Sequence, residues 1–328
     1  GFCLLVVAAA SPWLITSAGV PVADVLAAFL LINNIAAPLL MLSRTNIMFS
    51  EAKAAAADLT EFFNIPVLPP AAGGREPANA GIELKDLSFS YVPDTPVLSG
   101  INQKLTAGSI TAVVGPSGSG KSTLAALIPR LLDPTEGSVR IGGVPSTDLR
   151  SDQLYRRVGF VFQDPYLMRM SVRDNIRLAH PEATDADVVR AARAAQIHER
   201  ITHLPRGYDS VVGEDAQLSG GEQQRLAIAR SILLDAPILV LDEATAFADP
   251  DSEAAIQRAI TELVAGRTLV VIAHRLHTIT GADRILMLEN GEVTEAGTHE
   301  ELVAAGKGYA TMWARYQTAQ AGIQGEEK

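Results

Sequence analysis

Two uncharged apolar runs open the chain. Residues 1–16, GFCLLVVAAASPWLIT, fall a little short of the roughly 20 residues that cross a bilayer. After the Gly/Pro turn SAGVPVAD comes VLAAFLLINNIAAPLLML, Val25 to Leu42; extended back to Val20, it is long enough to span. Asn33, Asn34 and Pro38 inside it suit a helix side that faces other helices or a cavity. Arg44, Glu51 and Lys53 mark the exit, the two cations favouring a cytoplasmic side, and an Ala-rich helix continues to Phe63. The pattern predicts two α-helical transmembrane segments. A buried hairpin of a soluble protein is the competing reading, and two long uncharged runs in succession argue against it.

From Asn64 to Gly81 a Pro/Gly/Ala stretch, NIPVLPPAAGGREPANAG, has no periodicity and reads as a linker. Beyond it short β-branched runs (IELKDLSF, SITAVVG, ILVLDE, TLVVIAH, RILMLENGEV) alternate with helical patterns over Lys121–Leu132, Asp185–Ala195, Ser219–Leu234 and Ser252–Val264. Strands alternating with helices predict an α/β domain with a largely parallel sheet. The expected organisation is a partial transmembrane domain at 1–63, a linker at 64–80, a nucleotide-binding domain at 81–320 and a tail at 321–328.

Composition adds three constraints. The chain has 328 residues, 48% hydrophobic, enough for one full domain and a smaller one. A net charge of −10 gives no basic footprint for nucleic acid. The single cysteine, Cys3, lies in an apolar run, so no intrachain disulfide forms. The chain opens on Gly1 with no basic region before the apolar run, which reads as a protein lacking its start rather than as a signal peptide.

The strongest local chemistry is GPSGSGKS, Gly115 to Ser122, between a strand and a helix. Gly115-x4-Gly120-Lys121-Ser122 is a P-loop in the context the pattern requires. Gly115, Gly118 and Gly120 let backbone N–H groups turn toward phosphate oxygens, and Pro116, Ser117 and Ser119 complete the loop. The helix start adds unpaired N–H groups and a positive dipole end. Lys121 reaches the β- and γ-phosphates, the Ser122 hydroxyl suits Mg²⁺, and Thr123 lies near the α- and β-phosphates. The expected ligands are therefore a nucleoside triphosphate and Mg²⁺. The uniformly apolar Ile238–Leu241 predicts a strand buried on both faces, ending in Asp242 and Glu243 at the sheet edge where the phosphate loop opens. Asp242 suits a metal role, and Glu243 a general base that polarises the attacking water.

Between these motifs lies LSGGEQQRLAIARSILL, and with it the chain resembles the ATP-binding cassette (ABC) ATPases over about residues 81–320. The resemblance implies a P-loop NTPase domain with a helical signature subdomain, and that the nucleotide is ATP. In it Ser219, Gly220 and Gly221 bind the γ-phosphate held by a second subunit, so one cassette is half of a catalytic unit. It also implies that Tyr91 stacks on adenine and that Gln163 senses Mg²⁺ and water and links the site to the membrane domain. His274 would be the switch residue near the γ-phosphate, and Asp249 the acid of the loop crossing the dimer interface. One departure stands out: Ala246-Phe247-Ala248-Asp249 replaces the family's common Ser-Ala-Leu-Asp, which bears on communication between the two ATP sites. This AFADP variant is similar to bacterial exporter-type cassettes that handle iron–siderophore complexes.

Two membrane segments, a linker and a cassette resemble the end of an exporter-type half-transporter, whose other four membrane helices are not in this sequence. The implied partners are a second half-transporter, identical or different, a lipid bilayer and a transported substrate of unknown identity, with no nucleic acid. The implied location is the cell membrane, multi-pass, with the cassette cytoplasmic. The residues present would not enclose a translocation pathway by themselves. Export and siderophore import both stay open, as does a soluble ABC ATPase working in repair or translation.

Overall fold

A computed structural model describes residues 2–64, 68–69, 75–242, 250–264, 266–273 and 276–326, and the chain divides into two units, Gly1–Val67 and Leu68–Lys328. The first holds two helices, α1 (Phe2–Thr16) and α2 (Val22–Phe63). Ser17 and Ala18 close α1 by donating to the Trp13 carbonyl, and Pro21 starts α2, where its missing N–H costs nothing. Among the described residues no helix is long and apolar enough to cross a membrane. For α1 the reason is length: its 15 residues rise about 22 Å, against a hydrocarbon core of about 30 Å. The two expected membrane spans are therefore not shown here. What α2 does show is exposed apolar surface, with Leu30, Met41 and Phe49 all more than 60% exposed.

The second unit runs β1 (Ile82–Val92), β2 (Thr95–Leu105), β3 (Ile110–Val114), α3 (Lys121–Leu127), β4 (Glu136–Ile141) and β5 (Val144–Pro145). It continues through α4 (Ser151–Arg157), β6 (Val158–Val161), α5 (Val172–Arg177), α6 (Asp185–Ala194), α7 (His198–Thr202) and α8 (Gly220–Leu234). It ends with β7 (Ile238–Asp242), α9 (Pro250–Val264), β8 (Thr268–Ile272), β9 (Arg284–Glu289), β10 (Glu292–Gly297), α10 (His299–Ala305) and α11 (Gly308–Glu326).

Two sheets result. One is antiparallel, in the order β2-β1-β4-β5; the other runs β10-β9-β3-β8-β7-β6, parallel except for its β10 edge. The central strand β7 shows why an unbroken apolar run forms here. Ile238 and Val240 pack into a core shared with the antiparallel sheet, while Leu239 and Leu241 pack against the helices of α5 to α9. A third cluster, around the fully buried Tyr309, seats α10 and α11 on Ala112, Val114, Ile285 and Met287.

The structure departs from the sequence reading in three places. IELKDLSF, which alternation alone assigns to the largely parallel sheet, lies instead in a separate antiparallel sheet. RILMLENGEV is a hairpin, not one strand: Asn290 and Gly291 take positive φ (50° and 82°), the backbone of a two-residue turn. The helix after the P-loop stops at Leu127 rather than Leu132. Past that stop, Arg130 has φ 58° and its guanidinium bonds Asp133 and the Pro69 carbonyl.

Candidate nucleotide-binding site

The register of the parallel sheet places the candidate residues at one edge. β3 pairs with β8 through Val113↔Ile272, β7 with β8 through Asp242↔Ile272, and β6 with β7 through Val161↔Leu241. The turn after Val114, the Asp242 carboxylate and Gln163, two residues beyond β6, therefore all lie at the C-terminal ends of these strands. That is where ligands bind in open α/β sheets.

The loop itself tolerates only glycine at its tightest points. Gly115 has φ 150°, and a Cβ there would lie 2.0 Å from the Leu288 carbonyl oxygen of β9. Gly120 has φ 100°, and its Cβ would meet Leu98 Cδ2 at 2.6 Å and the Val97 carbonyl oxygen at 3.0 Å. The loop is thus pressed onto β9 and β2, and α3 starts from Gly120 with no side-chain cap, leaving its first N–H groups to a ligand. Lys121, 6% exposed, folds over the loop and donates to the carbonyls of Gly115 (3.0 Å) and Pro116 (2.8 Å). The buried Ser119 hydroxyl has no hydrogen-bond partner among the described residues, an orphan polar group that a phosphate oxygen would satisfy. Pro116, Ser117 and Gly118 are exposed at the loop's crest.

Ser122 Oγ donates to Asp242 Oδ1 at 3.3 Å, so a hydroxyl and a carboxylate from residues 120 apart share one point. Both are hard oxygen donors of the kind that hold Mg²⁺. Among the described residues no group of three or more His, Cys, Asp or Glu could hold a metal ion. A cation at Ser122 and Asp242 would draw its remaining ligands from phosphate and water, which is how Mg²⁺ is ordinarily bound. The donor set fits the ion.

Thr123 is buried, and its hydroxyl lies 3.3 Å from the Tyr91 hydroxyl. Tyr91 stands at the end of β1, edge-on to Phe89 (4.7 Å between centroids, 87° between planes), with its ring 61% exposed. It therefore offers an open aromatic face beside the phosphate loop. Gln163 is half-buried, and among the described residues its side chain makes no hydrogen bond. Glu243, Asp249 and His274 lie outside the described residues.

Ser219 caps α8: its hydroxyl accepts from Glu222 N–H, and Glu222 accepts from the Ser219 N–H at 2.8 Å, with Arg200 holding the same carboxylate at 2.7 Å. Ser219 and Gly220 are exposed and Gly221 is buried. Among the described residues no hydrogen bond joins Ser219, Gly220 or Gly221 to the phosphate loop. The structure thus gathers Tyr91, Ser119–Thr123 and Asp242 into one site and sets Gln163 at the same edge, while Ser219 and Gly220 stand exposed at the capped start of α8.

Sequence reasoning passed over Asn175 and Arg230. The fully buried Asn175 amide donates to the carbonyls of Met168, Met170 and Ser171, and its Oδ1 accepts from Met168 N–H, shaping the segment that follows Gln163. Arg230, on α8, reaches the same Asn175. Burial lowers the Arg230 pKa below its ordinary value. An Asn in SVRDNI gives no local sign of such a role, because its partners, the backbone of Met168 to Ser171 and the Arg230 guanidinium, are placed by the fold.

Comparison with known proteins agrees with this geometry. Residues 98–246 match the family model described as ABC transporter. The chain is similar to the mycobactin import ATP-binding/permease protein IrtA of Mycolicibacterium thermoresistibile, at 54% identity over 76% of this chain and 28% of that protein. It is also similar to the ATP-dependent lipid A-core flippase of Syntrophus aciditrophicus, at 48% identity over 68% of this chain and 37% of that protein. Among solved structures it resembles a bacterial Atm1-family ABC exporter with ATP bound, with a TM-score of 0.72 and 34% identity, covering 90% of this chain and 53% of that one. The chain thus spans about a third of the length of the curated relatives it matches.

Proposed function

The chain carries an ATPase domain of the ABC transporter family, and on that premise we propose that it is the ATP-binding and ATP-hydrolysing part of a membrane transporter subunit. The observation that carries this reading is the lining of the phosphate loop: Lys121 laid across the loop, the orphan Ser119 hydroxyl, and Ser122 with Asp242 at 3.3 Å.

In the proposed mechanism the loop N–H groups and Lys121 hold the β- and γ-phosphates of ATP, and Tyr91 stacks on the base. Mg²⁺, bound through Ser122 and Asp242 with Gln163 nearby, would supply charge neutralisation at the phosphates. Glu243 takes a proton from the attacking water as the new O–Pγ bond forms and the bond from Pγ to the bridging oxygen of ADP breaks. His274 orients the γ-phosphate. Ser219, Gly220 and Gly221, with Asp249, serve the ATP of a second cassette, so the working unit is a dimer of half-transporters.

Residues 1–63 are proposed as part of the membrane domain, with the cassette on the cytoplasmic side of the cell membrane. The exporter likeness covers 90% of this chain, more than residues 81–328 make up, so it reaches toward the helical unit. The exposed apolar side chains of α2 suit lipid or neighbouring helices. The transported substrate is unassigned. The AFADP cue and the relatives named for mycobactin import support a siderophore importer as a second reading of direction and cargo. A soluble ABC ATPase is favoured only by the lack of a spanning helix among the described residues, and recovery of the full-length protein in a detergent-free soluble fraction would support it.

The test is ATP turnover of the full-length protein carrying Glu243→Gln. Loss of turnover by about 10² or more with ATP binding retained supports the assignment; turnover near wild type overturns it.

A further inference from the structure

Away from the phosphate loop, the second unit has an open cleft of about 520 Å³ whose lining includes Glu83, Lys85, Gln103, Lys104, Arg140 and Arg284. Its position follows from register. Arg284 begins β9 and pairs with Thr111 near the start of β3, whereas the P-loop follows the other end of that strand, after Val114. The cleft therefore sits at the opposite end of the parallel sheet from the nucleotide site, where the antiparallel sheet meets it.

Its charge is the reverse of the molecule's. The chain carries −10, yet four cations line this cleft against one carboxylate. Glu83 is divided between Lys104 at 3.5 Å and Arg140 at 3.8 Å. Among the described residues neither Lys85 nor Arg284 forms an ion pair. The neighbouring acids are turned elsewhere: Asp86 accepts from the Asn102 amide at 2.8 Å, and Asp283 accepts from the Ile110 N–H at 2.8 Å.

The donors are also oriented. Arg284 Nη2 donates to Gln103 Oε1 at 3.3 Å, which fixes the Gln103 carbonyl on the guanidinium and leaves its amide N–H groups for another acceptor. Arg140 is anchored by donating to the Gly143 carbonyl at 2.6 Å, while its buried Nε makes no hydrogen bond. Two cations without an ion pair, two that share Glu83, and the Gln103 amide line a cleft large enough for a small molecule.

From this we propose a second anion site, distinct from the phosphate loop, that takes a small molecule carrying two or more phosphate groups. Arg284 and Lys85 supply the charge, and Gln103 and Arg140 the directed N–H donors. The site holds whether or not the chain proves to be a transporter ATPase.

Pyrophosphate binding to the full chain, measured by calorimetry at low salt, tests it. Wild type should take up two pyrophosphates and Lys121→Ala should keep one. Lys85→Glu/Arg284→Glu should weaken that remaining site at least tenfold while fluorescent-nucleotide binding at the phosphate loop stays within twofold, which certifies the fold. Raising salt should weaken the site steeply. A single site in wild type, or a Lys85→Glu/Arg284→Glu variant that binds two as tightly as wild type, overturns the proposal. Loss of nucleotide binding in that double variant directs the same measurement to Arg284→Gln, where an unchanged second site again overturns it.

Discussion

Arg230 and Asn175 lie 55 residues apart in sequence and meet in two hydrogen bonds: Arg230 Nε donates to the Asn175 carbonyl at 2.9 Å, and Nη2 to its Oδ1 at 3.3 Å. The pair ties α8, whose first turn is the LSGG signature, to the segment that follows Gln163. Besides Arg230, the Asn175 side chain bonds the Met168 N–H and the carbonyls of Met168, Met170 and Ser171. Truncating it to alanine strands the Met168 N–H and withdraws the donor from three carbonyls. Asn175→Ala is expected to cost about 2–4 kcal/mol, read as a shift of the urea midpoint at constant m-value. A cost under 0.5 kcal/mol would show that water replaces the amide.

The phosphate loop separates steric need from conformational need. Gly115→Ala places a methyl 2.0 Å from the Leu288 carbonyl, so either β9 or the loop must move, and nucleotide binding should be lost together with several degrees of melting temperature. Gly118 has φ 79° but open space around its Cβ position, so Gly118→Ala should cost only about 1–2 kcal/mol of backbone strain. Equal losses in the two variants, by thermal unfolding, would contradict this account.

For Tyr91 the ring and the hydroxyl make different predictions. If the exposed ring stacks on adenine, Tyr91→Ala should weaken ATP binding about three- to tenfold, equivalent to about 0.5–1.5 kcal/mol. Tyr91→Phe, which loses only the 3.3 Å contact to Thr123, should stay within twofold. Fluorescent-nucleotide titration distinguishes them, and an unaffected alanine variant would remove Tyr91 from the site.

Acid stability should depend on Asp215. The Arg206 guanidinium first, and then the Val211 N–H, hold its carboxyl well below the usual carboxylate range. A depressed folded pKa means that the unfolded chain takes up the proton first as pH falls. The stabilisation is therefore complete above the unfolded value of about 4 and is lost as pH drops toward the folded one. The gap in urea midpoint between wild type and Asp215→Asn should be constant from pH 7 to about 5 and shrink below about 4. A gap that widens with acid would reverse the assignment.

Some features were legible because they are local. The P-loop is one strand, one glycine turn and one helix start in twenty residues, and its tight glycines have the positive φ that the motif requires. The capped start of α8 at Ser219 is likewise written in four consecutive residues. The β9–β10 turn was equally local, yet the apolar run around Asn290-Gly291 masked it. The two expected membrane spans rest on the apolar runs within residues 1–42; among the described residues no helix is both long and apolar enough to cross a membrane.

By itself the sequence determined the phosphate loop, the capped signature turn and the alternation of strands and helices, since each depends on neighbours within a few residues. Only the tertiary structure decided that Ser122 meets Asp242, that Tyr91 meets Thr123 and that Arg284 meets Gln103. The physical reason lies in the sheet. A strand apolar on both faces, such as β7, carries no phase that tells which side or which neighbour it will meet. Order and register come from helical crossovers and from packing on both faces at once, and those bring distant residues together.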